Sequence, residues 1–298
     1  MISFKCANCA GEMTVSYTGE LVCPYCGAKH NLSDKELEGY KVFRHRMLEY
    51  LAAVSNDSAK ASDYEYLWNG ADSVTFVAED ESEIRIRFIY ESELEGVKMY
   101  VAKDSIIYVF PKDKVSLHEK SLKNISKITF PQADMKSLAK CIPQSKGTYR
   151  LIDGSLLWAV SKDEGLYPLP LFGNLSWEDT AWIVSRLENI ACLMEYNDAV
   201  HGLIDPETIF INPKTHEASL LGGWWKMCDM SPYNKSSDLK DIRKTAKKLL
   251  GSGFEDTPKA FKEFLNEASK IDAFKDFEYW DNIIEKGLGG RHFHKFGK

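Results

Sequence analysis

Apolar and polar residues alternate along much of the chain between residues 73 and 160, which predicts antiparallel strands with one face against a core. Residues 73–78 and 83–90 show this pattern as a hairpin. Ser105–Phe110 form a further predicted strand, and residues 117–142 carry a helical pattern instead.

The strongest hairpin-turn signal in the chain is the dipeptide Asp153-Gly154. It separates two more alternating stretches, residues 149–152 and 155–160. Together the patterns predict about five strands in this half of the chain.

After Pro168 the apolar residues recur at helical intervals. Ser176 is the predicted cap of a long amphipathic helix, and a second helix runs from Ser237 to a stop at Gly251. A third helix is predicted with Thr257 as its cap and Pro258 at its first helical position. Strands followed by helices predict an α+β architecture in two lobes.

Composition and charge limit the class of protein. The 298 residues are 44% hydrophobic and 28% charged, which is typical of a folded chain, and the net charge is −6 with an isoelectric point near 5.7. A negative molecule with no obvious polybasic block predicts no nucleic-acid partner. Because no apolar run approaches the roughly 20 residues that span a bilayer, we expect no membrane segment and a cytoplasmic protein.

Four of the seven cysteines stand at metal-ligand spacing, as two CxxC pairs separated by thirteen residues: Cys6, Cys9, Cys23 and Cys26. Gly11 and Gly27 follow the pairs and are expected in their tight turns. A thioredoxin-like redox pair would need a single CxxC at the start of a helix, and structural disulfides suit a secreted chain, so the spacing favours a zinc ribbon. Four protein ligands leave no position for a catalytic water, which predicts structural Zn²⁺.

The other three cysteines, Cys141, Cys192 and Cys228, are scattered and are expected to be reduced and buried in the core. Between the cysteine pairs and the strands, Ser33 and Glu36 predict a capped linker helix to about residue 53. The polar residues 55–62 then predict a domain boundary.

Residues 201–208 resemble the catalytic loop of protein kinases, with His201 at the leading histidine and Pro206-Glu207 at the P-E of the loop. Residues 220–224 fall where that family has a strand and D-F-G, and Asp238 falls at the aspartate that braces the loop. The resemblance implies a two-lobed kinase-like fold, with an antiparallel β N-lobe and a helical C-lobe. It divides the chain into a zinc ribbon, a linker, an N-lobe and a C-lobe at residues 1–33, 34–62, 63–170 and 171–298.

The chain departs from the kinase pattern at the positions that take part in phosphoryl transfer. Leu203, Thr208 and Gly222 stand at the positions of the loop aspartate, the loop asparagine and the D-F-G aspartate. The resemblance therefore implies a pseudokinase with no catalytic or cofactor-binding residues, and we expect no ATP binding.

Three further positions agree with an inactive cleft. Asp205 replaces the lysine of the loop, and the acidic turn at residues 79–83 is expected where a Gly-rich loop would cover ATP. Phe110 is expected at the place of the phosphate-binding lysine, with Lys103 and Lys112 as alternatives.

Three functions remain open from the sequence. The first is an inactive kinase-like protein that binds a protein partner. The second is a divergent nucleotide-dependent transferase with metal ligands such as Asp205 or Asp229, and the third is a zinc-ribbon nucleic-acid adaptor. Trp224-Trp225 is expected either to plug the cleft or to face a partner, and the run with His292 and His294 is expected to be a docking or frayed tail.

Overall fold

The structure is a computed structural model that describes residues 4–13, 20–23, 25–31, 68, 71–130, 138–270, 272–292 and 296. Contacts divide the chain into two units, residues 1–69 and residues 70–298. The linker helix predicted up to residue 53 and the boundary at residues 55–62 lie outside the described residues.

The N-terminal unit contains two short antiparallel hairpins, one of β1 (Phe4–Lys5) with β2 (Glu12–Met13) and one of β3 (Glu20–Val22) with β4 (Lys29–Asn31). Its described apolar core consists of Cys6, Met13 and Cys23, with Ala28 partly buried against them. So small a core cannot by itself offset the entropy of ordering the hairpins.

A five-stranded antiparallel sheet forms the first half of the larger unit, in the spatial order β7-β8-β9-β11-β10. The strands are β7 (Tyr90–Leu94), β8 (Val97–Val101), β9 (Ser105–Phe110), β10 (Gln144–Arg150) and β11 (Leu156–Ser161). Helix α1 (Val115–Ser126) follows the third strand. The predicted strand at residues 105–110 and the hairpin around Asp153-Gly154 are confirmed.

The hairpin of β5 (Asp72–Val77) and β6 (Glu83–Phe88) is confirmed as well, but it is a separate two-stranded sheet. Its side chains Phe76 and Phe88 lie edge-on against Tyr100, in the cluster that also holds Ile107. The hairpin therefore covers one face of the five-stranded sheet. The expectation that its acidic turn at residues 79–83 stands in for the Gly-rich loop is wrong, because the first turn of the sheet itself is Glu95-Gly96.

The second half of the larger unit is mainly helical, with short strand pairs between its helices. No described helix is both long and apolar enough to cross a bilayer. The elements are β12 (Tyr167–Pro168), α2 (Trp177–Tyr196), β13 (Ala199–Val200), β14 (Ile209–Asn212), β15 (Glu217–Leu220), β16 (Cys228–Asp229), α3 (Ser237–Leu250), α4 (Lys259–Asn266) and α5 (Ala273–Asn282).

The caps of these helices follow the sequence closely. The Ser176 hydroxyl accepts the backbone N–H of Asp179 at 3.1 Å, as predicted for α2. Helix α4 begins one residue later than predicted, because Pro258 has the extended ψ of 142° and is the cap. The Thr257 hydroxyl instead donates to the Gly253 carbonyl at 3.0 Å.

The scattered cysteines are less buried than predicted. Cys141 and Cys192 are half-buried, and Cys228 is exposed, while all three are free thiols. Cys228 lies in the two-residue strand β16, whose residues are both exposed although those of its partner strand β13 are buried.

A buried ion pair joins α3 to α5. The Arg243 guanidinium donates to both carboxylate oxygens of Asp276, at 2.7 and 2.9 Å. Glu188 of α2 is fully buried beside this pair. Burial raises the pKa of Glu188 well above its usual range, and the Asp276 charge raises it further.

We expect Glu188→Gln to stabilise the protein increasingly as pH rises. A carboxyl whose pKa is higher in the folded state contributes fully below its unfolded pKa of about 4, and that contribution is lost as pH rises toward the folded value. Glutamine keeps the shape without the titration. Urea unfolding at pH 4 and pH 8 measures this, and a variant with the same advantage or none at both values contradicts it.

Candidate functional site

The four cysteines of the N-terminal unit lie on two knuckles of the same construction. In the first, the Cys6 N–H donates to the Gly11 carbonyl at 2.9 Å and the Ala10 N–H donates to the Cys6 carbonyl at 2.8 Å. In the second, the Cys23 N–H donates to the Ala28 carbonyl and the Gly27 N–H donates to the Cys23 carbonyl, each at 2.9 Å. The same turn therefore occurs once in each knuckle. The four sulfur atoms of the two cysteine pairs lie close together.

The four sulfur atoms all lie within 4.8 Å of one another. The Sγ atoms of Cys6 and Cys26 are 3.6 Å apart, and those of Cys9 and Cys23 are 3.5 Å apart. Four sulfurs held tetrahedrally at about 2.3 Å from a metal would be about 3.8 Å apart, whereas a disulfide bond is about 2.05 Å long. The cluster thus fits a metal ion and does not contain disulfides.

The left-handed residue of each knuckle follows its second cysteine. It is Ala10 in the first knuckle, at φ 56°, and Gly27 in the second, at φ 70°. Gly11 lies in the first turn as expected, where its backbone N–H points at the Cys9 sulfur, but it is not the left-handed residue. A left-handed alanine costs roughly 1–2 kcal/mol, so the first knuckle carries strain that the second avoids.

We expect Ala10→Gly to raise metal affinity about fivefold, the equivalent of roughly 1 kcal/mol of relieved strain. Competition with a chromophoric chelator measures the affinity. Ala28→Gly is the matched control, because Ala28 has no left-handed backbone, and equal gains in the two variants would contradict the explanation.

In the larger unit, the third strand β9 runs along the cleft between the sheet and the helical half. Its residues Ile107 and Val109 belong to the cluster under the β5–β6 hairpin, whereas Tyr108 and Phe110 lie on the opposite face, against Trp225. Protein kinases carry their phosphate-binding lysine on the third strand.

The predicted Phe110 shares the cleft face of β9 with Tyr108, and Tyr108 is the residue that reaches Gly222. Its hydroxyl donates to the Leu221 carbonyl at 3.0 Å, directly beside Gly222. Lys112 is exposed, and Lys103 lies 3.9 Å from the carboxylate of Glu164. Neither alternative lysine therefore serves the cleft.

Helix α1 has an aromatic contact in a place where a kinase has a charged side chain. The corresponding kinase helix supplies a glutamate that pairs with the lysine. Here the ring of His118 lies 5.7 Å from that of Phe110 and 5.5 Å from that of Trp158. Burial lowers the pKa of His118, so it adds no positive charge at neutral pH.

The loop at residues 201–208 has the predicted brace. Asp238 accepts the backbone N–H groups of His201 and Gly202, both at 2.8 Å. Burial raises the pKa of Asp238 to about 6, although these two bonds favour its ionised form. His201 is buried against Trp224, and burial lowers its pKa to about 4, so it is a neutral packing residue.

Thr208 and Gly222 are direct neighbours, and the Gly222 N–H donates to the Thr208 carbonyl at 3.2 Å. The Thr208 hydroxyl is used within the loop, where it donates toward the Leu203 and Asp205 carbonyls at 3.0 and 2.8 Å. A Cβ atom at Gly222 would lie 3.2 Å from the Thr208 Cα and 3.3 Å from the Tyr108 hydroxyl. The side chains around Gly222 thus fill the space that a D-F-G aspartate would need.

We expect Gly222→Asp to destabilise the protein by about 2–3 kcal/mol without creating Mg-ATP binding, because the new carboxylate would be buried and crowded. Gly253→Asp is the control, since a Cβ atom at Gly253 would lie 4.0 Å from its nearest neighbour, the Leu175 carbonyl oxygen. Thermal unfolding and calorimetric titration with Mg-ATP measure the two effects. A stable Gly222→Asp protein that binds Mg-ATP would contradict the steric account.

An aromatic cluster lies in the cleft between the two lobes. The ring centroids of Trp158 and Trp225 are 5.6 and 6.4 Å from that of Tyr108, and Phe110 lies 5.8 Å from Trp225. Trp225 is 2% exposed and Trp158 1%. Both side chains of Trp224-Trp225 are buried and so do not face a partner.

Glu95, in the first turn of the sheet, bonds to Trp225 and to its neighbour. The Glu95 carboxylate accepts the Trp225 indole N–H at 2.9 Å and forms an ion pair with Lys226, and its carbonyl accepts the Lys114 ammonium. Beside it, the Tyr90 hydroxyl donates to both carboxylate oxygens of Glu207, at 2.9 and 2.7 Å. Side chains from both lobes are therefore bonded to one another across the cleft.

The two carboxylates that could replace the metal ligands are both paired with lysines. Asp205 forms an ion pair with Lys248, and Asp229 lies 2.9 Å from the Lys127 ammonium. Among the described residues, the cysteine cluster is the group that could hold a metal through three or more ligands. The tail histidine at position 294 lies outside the described residues.

One basic surface was missed in the sequence. A groove of about 570 Å³ beside α3 is lined by four lysines at helical spacing, Lys240, Lys244, Lys247 and Lys248. The i, i+4, i+7, i+8 spacing could have revealed this stripe. The net charge of −6 therefore does not describe every face of the molecule.

The strand order, the helix after the third strand and the loop braced by Asp238 give the larger unit an α+β, two-lobed kinase-like fold. This confirms the fold class predicted from the sequence. The polar groups of a kinase cleft are replaced here by aromatic and aliphatic contacts.

The chain is similar to solved structures of kinases and pseudokinases. WbdD with the kinase inhibitor LY294002 is 13% identical, with a TM-score of 0.43 over 70% of this chain and 47% of that one. The PAN3 pseudokinase of Drosophila melanogaster is 10% identical, with a TM-score of 0.45 over 74% and 64%. Vaccinia related kinase 3 is 12% identical, with a TM-score of 0.41 over 74% and 80%.

The chain thus spans about half the length of the WbdD chain that it matches. No protein-family model matches it, and no curated protein does either. At these identities the likeness concerns the fold alone.

Proposed function

We propose that this protein is a catalytically inactive, kinase-like protein with a structural zinc ribbon, and that it acts in the cytoplasm by binding another protein. The observation that supports the proposal is the cleft, where the rings of Tyr108, Trp158 and Trp225 are buried and lie against one another. Mg-ATP would have to displace these rings and break the bonds of Glu95.

Phosphoryl transfer needs metal ions held by the protein and a group that orients the nucleophile. Leu203 and Gly222 offer neither, and Thr208 has its hydroxyl committed to the loop. Because positioning and charge stabilisation supply most of the rate enhancement, loss of all three roles abolishes the reaction in this proposal.

Zinc is the metal that the donor set favours. Four thiolates in a tetrahedral arrangement suit Zn²⁺, and the backbone N–H of Asn8 lies 3.4 Å from the Cys6 sulfur, which helps to stabilise its negative charge. His30 adds a second polar partner, with Nε2 3.1 Å from the same sulfur. With all four positions filled by cysteines, the metal organises the hairpins and does no chemistry.

In this proposal the partner binds the outer surfaces of the protein and not the cleft. Tyr25 of the ribbon is 73% exposed, and Tyr233 of the larger unit is 99% exposed. Exposed aromatic side chains are common anchors of protein interfaces.

The test is photo-crosslinking in the source cells, with a benzophenone amino acid in place of Tyr25 or of Tyr233, followed by reconstitution from purified proteins. We expect one of the two positions to capture a protein that then binds the purified chain equally well with and without Mg-ATP. Leu122, exposed on α1 but not aromatic, is the control position. Binding that requires Mg-ATP, or a captured protein that does not bind on reconstitution, would contradict the proposal.

Neither alternative function gains a specific observation. The transferase needs at least two carboxylates free to hold a metal in the cleft, and Asp205 and Asp229 are engaged by lysines. The adaptor needs a basic ribbon, and the lysine stripe is on α3 of the other unit instead.

A further inference from the structure

A cavity of about 360 Å³ opens beside helix α2, away from the kinase-like cleft. This α2 cavity is bounded by the helix on one side and by residues 284–292 on another. Its lining includes aromatic and basic side chains, namely Trp177, Trp182, Arg186, His216 and Arg291, together with the small residue Ala181. Its volume is within the usual range of small-molecule sites.

The aromatic wall of the α2 cavity is held rigidly. The rings of Trp182 and His216 are stacked, with centroids 4.7 Å apart and planes at 14°. The ring of Phe296 lies 6.3 Å from Trp182 at a steep angle, and Trp177 also lines the cavity. Such a wall favours a planar aromatic ligand.

His216 adopts an unusual backbone conformation that also positions a charge. It lies in the left-handed region at φ 54°, which costs a non-glycine residue roughly 1–2 kcal/mol. In this conformation its carbonyl accepts the Nε–H of Arg186 at 2.9 Å. Strain of this kind concentrates at binding sites.

The bond to His216 leaves the two terminal nitrogens of Arg186 without a partner among the described residues. Arg291, by contrast, forms ion pairs with Asp281 and Glu285. Glu178, which also lines the cavity, forms no ion pair within the part of the chain that the structure describes. Within the described ranges, Arg186 is therefore the guanidinium of the cavity lining that forms no ion pair.

The indole N–H of Trp182 does not add to these donors. It has no acceptor among the described residues, but it is shielded from solvent and so from a ligand in the cavity. The donors of Arg186 beside an aromatic wall call for a ring that carries an anionic oxygen group.

We propose that the α2 cavity binds a planar aromatic carboxylate, with its ring against Trp177 and Trp182 and its carboxylate on the Arg186 guanidinium. This site is separate from the kinase-like cleft and gives the chain a small-molecule ligand whether or not the cleft binds a nucleotide.

The test uses the full-length chain and three matched probes in saturation-transfer NMR and calorimetry. 2-Naphthoate has the ring and the charge, 2-naphthamide has the ring alone, and cyclohexanecarboxylate has the charge alone. We expect 2-naphthoate to bind at least tenfold more tightly than either of the others.

Four variants tie the binding to this cavity. Arg186→Gln should weaken 2-naphthoate binding about tenfold, the equivalent of one charged hydrogen bond, and Arg186→Lys should weaken it less. Ala181→Phe should abolish binding by filling the cavity. Arg85→Gln, on the exposed face of β6, is the matched control and should change nothing.

Three results would each overturn the proposal. They are equal affinity for 2-naphthoate and 2-naphthamide, unchanged affinity in folded Arg186→Gln and Arg186→Lys proteins, and no saturable binding of 2-naphthoate up to roughly 5 mM. Far-ultraviolet circular dichroism of each variant shows that it is folded before it is titrated.

Discussion

Cys23→Ser is expected to remove the metal from the protein and to unfold its N-terminal hairpins. Cys23 is buried, and its sulfur lies 3.5 Å from that of Cys9, so serine leaves three thiolates around an empty corner. Structural zinc contributes on the order of 10 kcal/mol to small modules of this kind, far more than the described core of Cys6, Met13 and Cys23 can supply.

Two measurements test whether the metal and the hairpin structure are lost together. Metal analysis of the purified protein should fall from one zinc per chain to none, and hydrogen exchange at residues 4–13 and 20–31 should rise to the rate of an unfolded peptide. Cys228→Ser, an exposed cysteine outside the cluster, should retain the full zinc content. Protected hairpins in a metal-free Cys23→Ser protein would show that the metal is not what folds them.

Trp225→Ala is expected to destabilise the protein by about 3–5 kcal/mol, the usual loss when a buried tryptophan is truncated. The ring is 2% exposed, lies against Tyr108 and Phe110, and donates its N–H to Glu95. Its removal leaves a cavity in the cleft and frees the turn that Glu95 fastens.

Trp225→Phe separates the two contributions. Phenylalanine keeps most of the ring contacts and loses the bond to Glu95, so we expect about 1–2 kcal/mol of destabilisation. Denaturant unfolding measures both variants. If alanine costs no more than phenylalanine, the ring does not fill the cleft in solution.

The fold was largely predictable because its signals are local. The caps at Ser176 and Gly251 and the hairpin around Asp153-Gly154 each depend on a few neighbouring residues. The Asp238 brace was predictable for another reason, since residues 201–208 resemble a known loop and fix its place in the chain.

The first hairpin of the main sheet was not predicted, because Glu91, Ser92 and Glu93 make the middle of β7 polar on both faces. Its turn uses left-handed Glu95 and Gly96, at φ 54° and 79°, and glutamate is not a usual turn residue there. Without this hairpin in view, the acidic turn at residues 79–83 was assigned to the wrong place.

The residue of β9 that reaches Gly222 could not be predicted for a different reason. Tyr108 and Phe110 share one face of β9, so periodicity cannot tell which of them reaches Gly222. That depends on contacts across more than 100 residues, such as the bond of Tyr108 to Leu221. The α2 cavity was missed for the same reason, since its walls come from segments far apart in the chain.

Calorimetric titration of the full-length chain with Mg-ATP tests the central claim most directly. With Tyr108, Trp158 and Trp225 filling the cleft, the account predicts no saturable heat up to roughly 1 mM nucleotide. Saturable binding in the micromolar range that Tyr108→Ala abolishes would show that the cleft holds a nucleotide, and would contradict it.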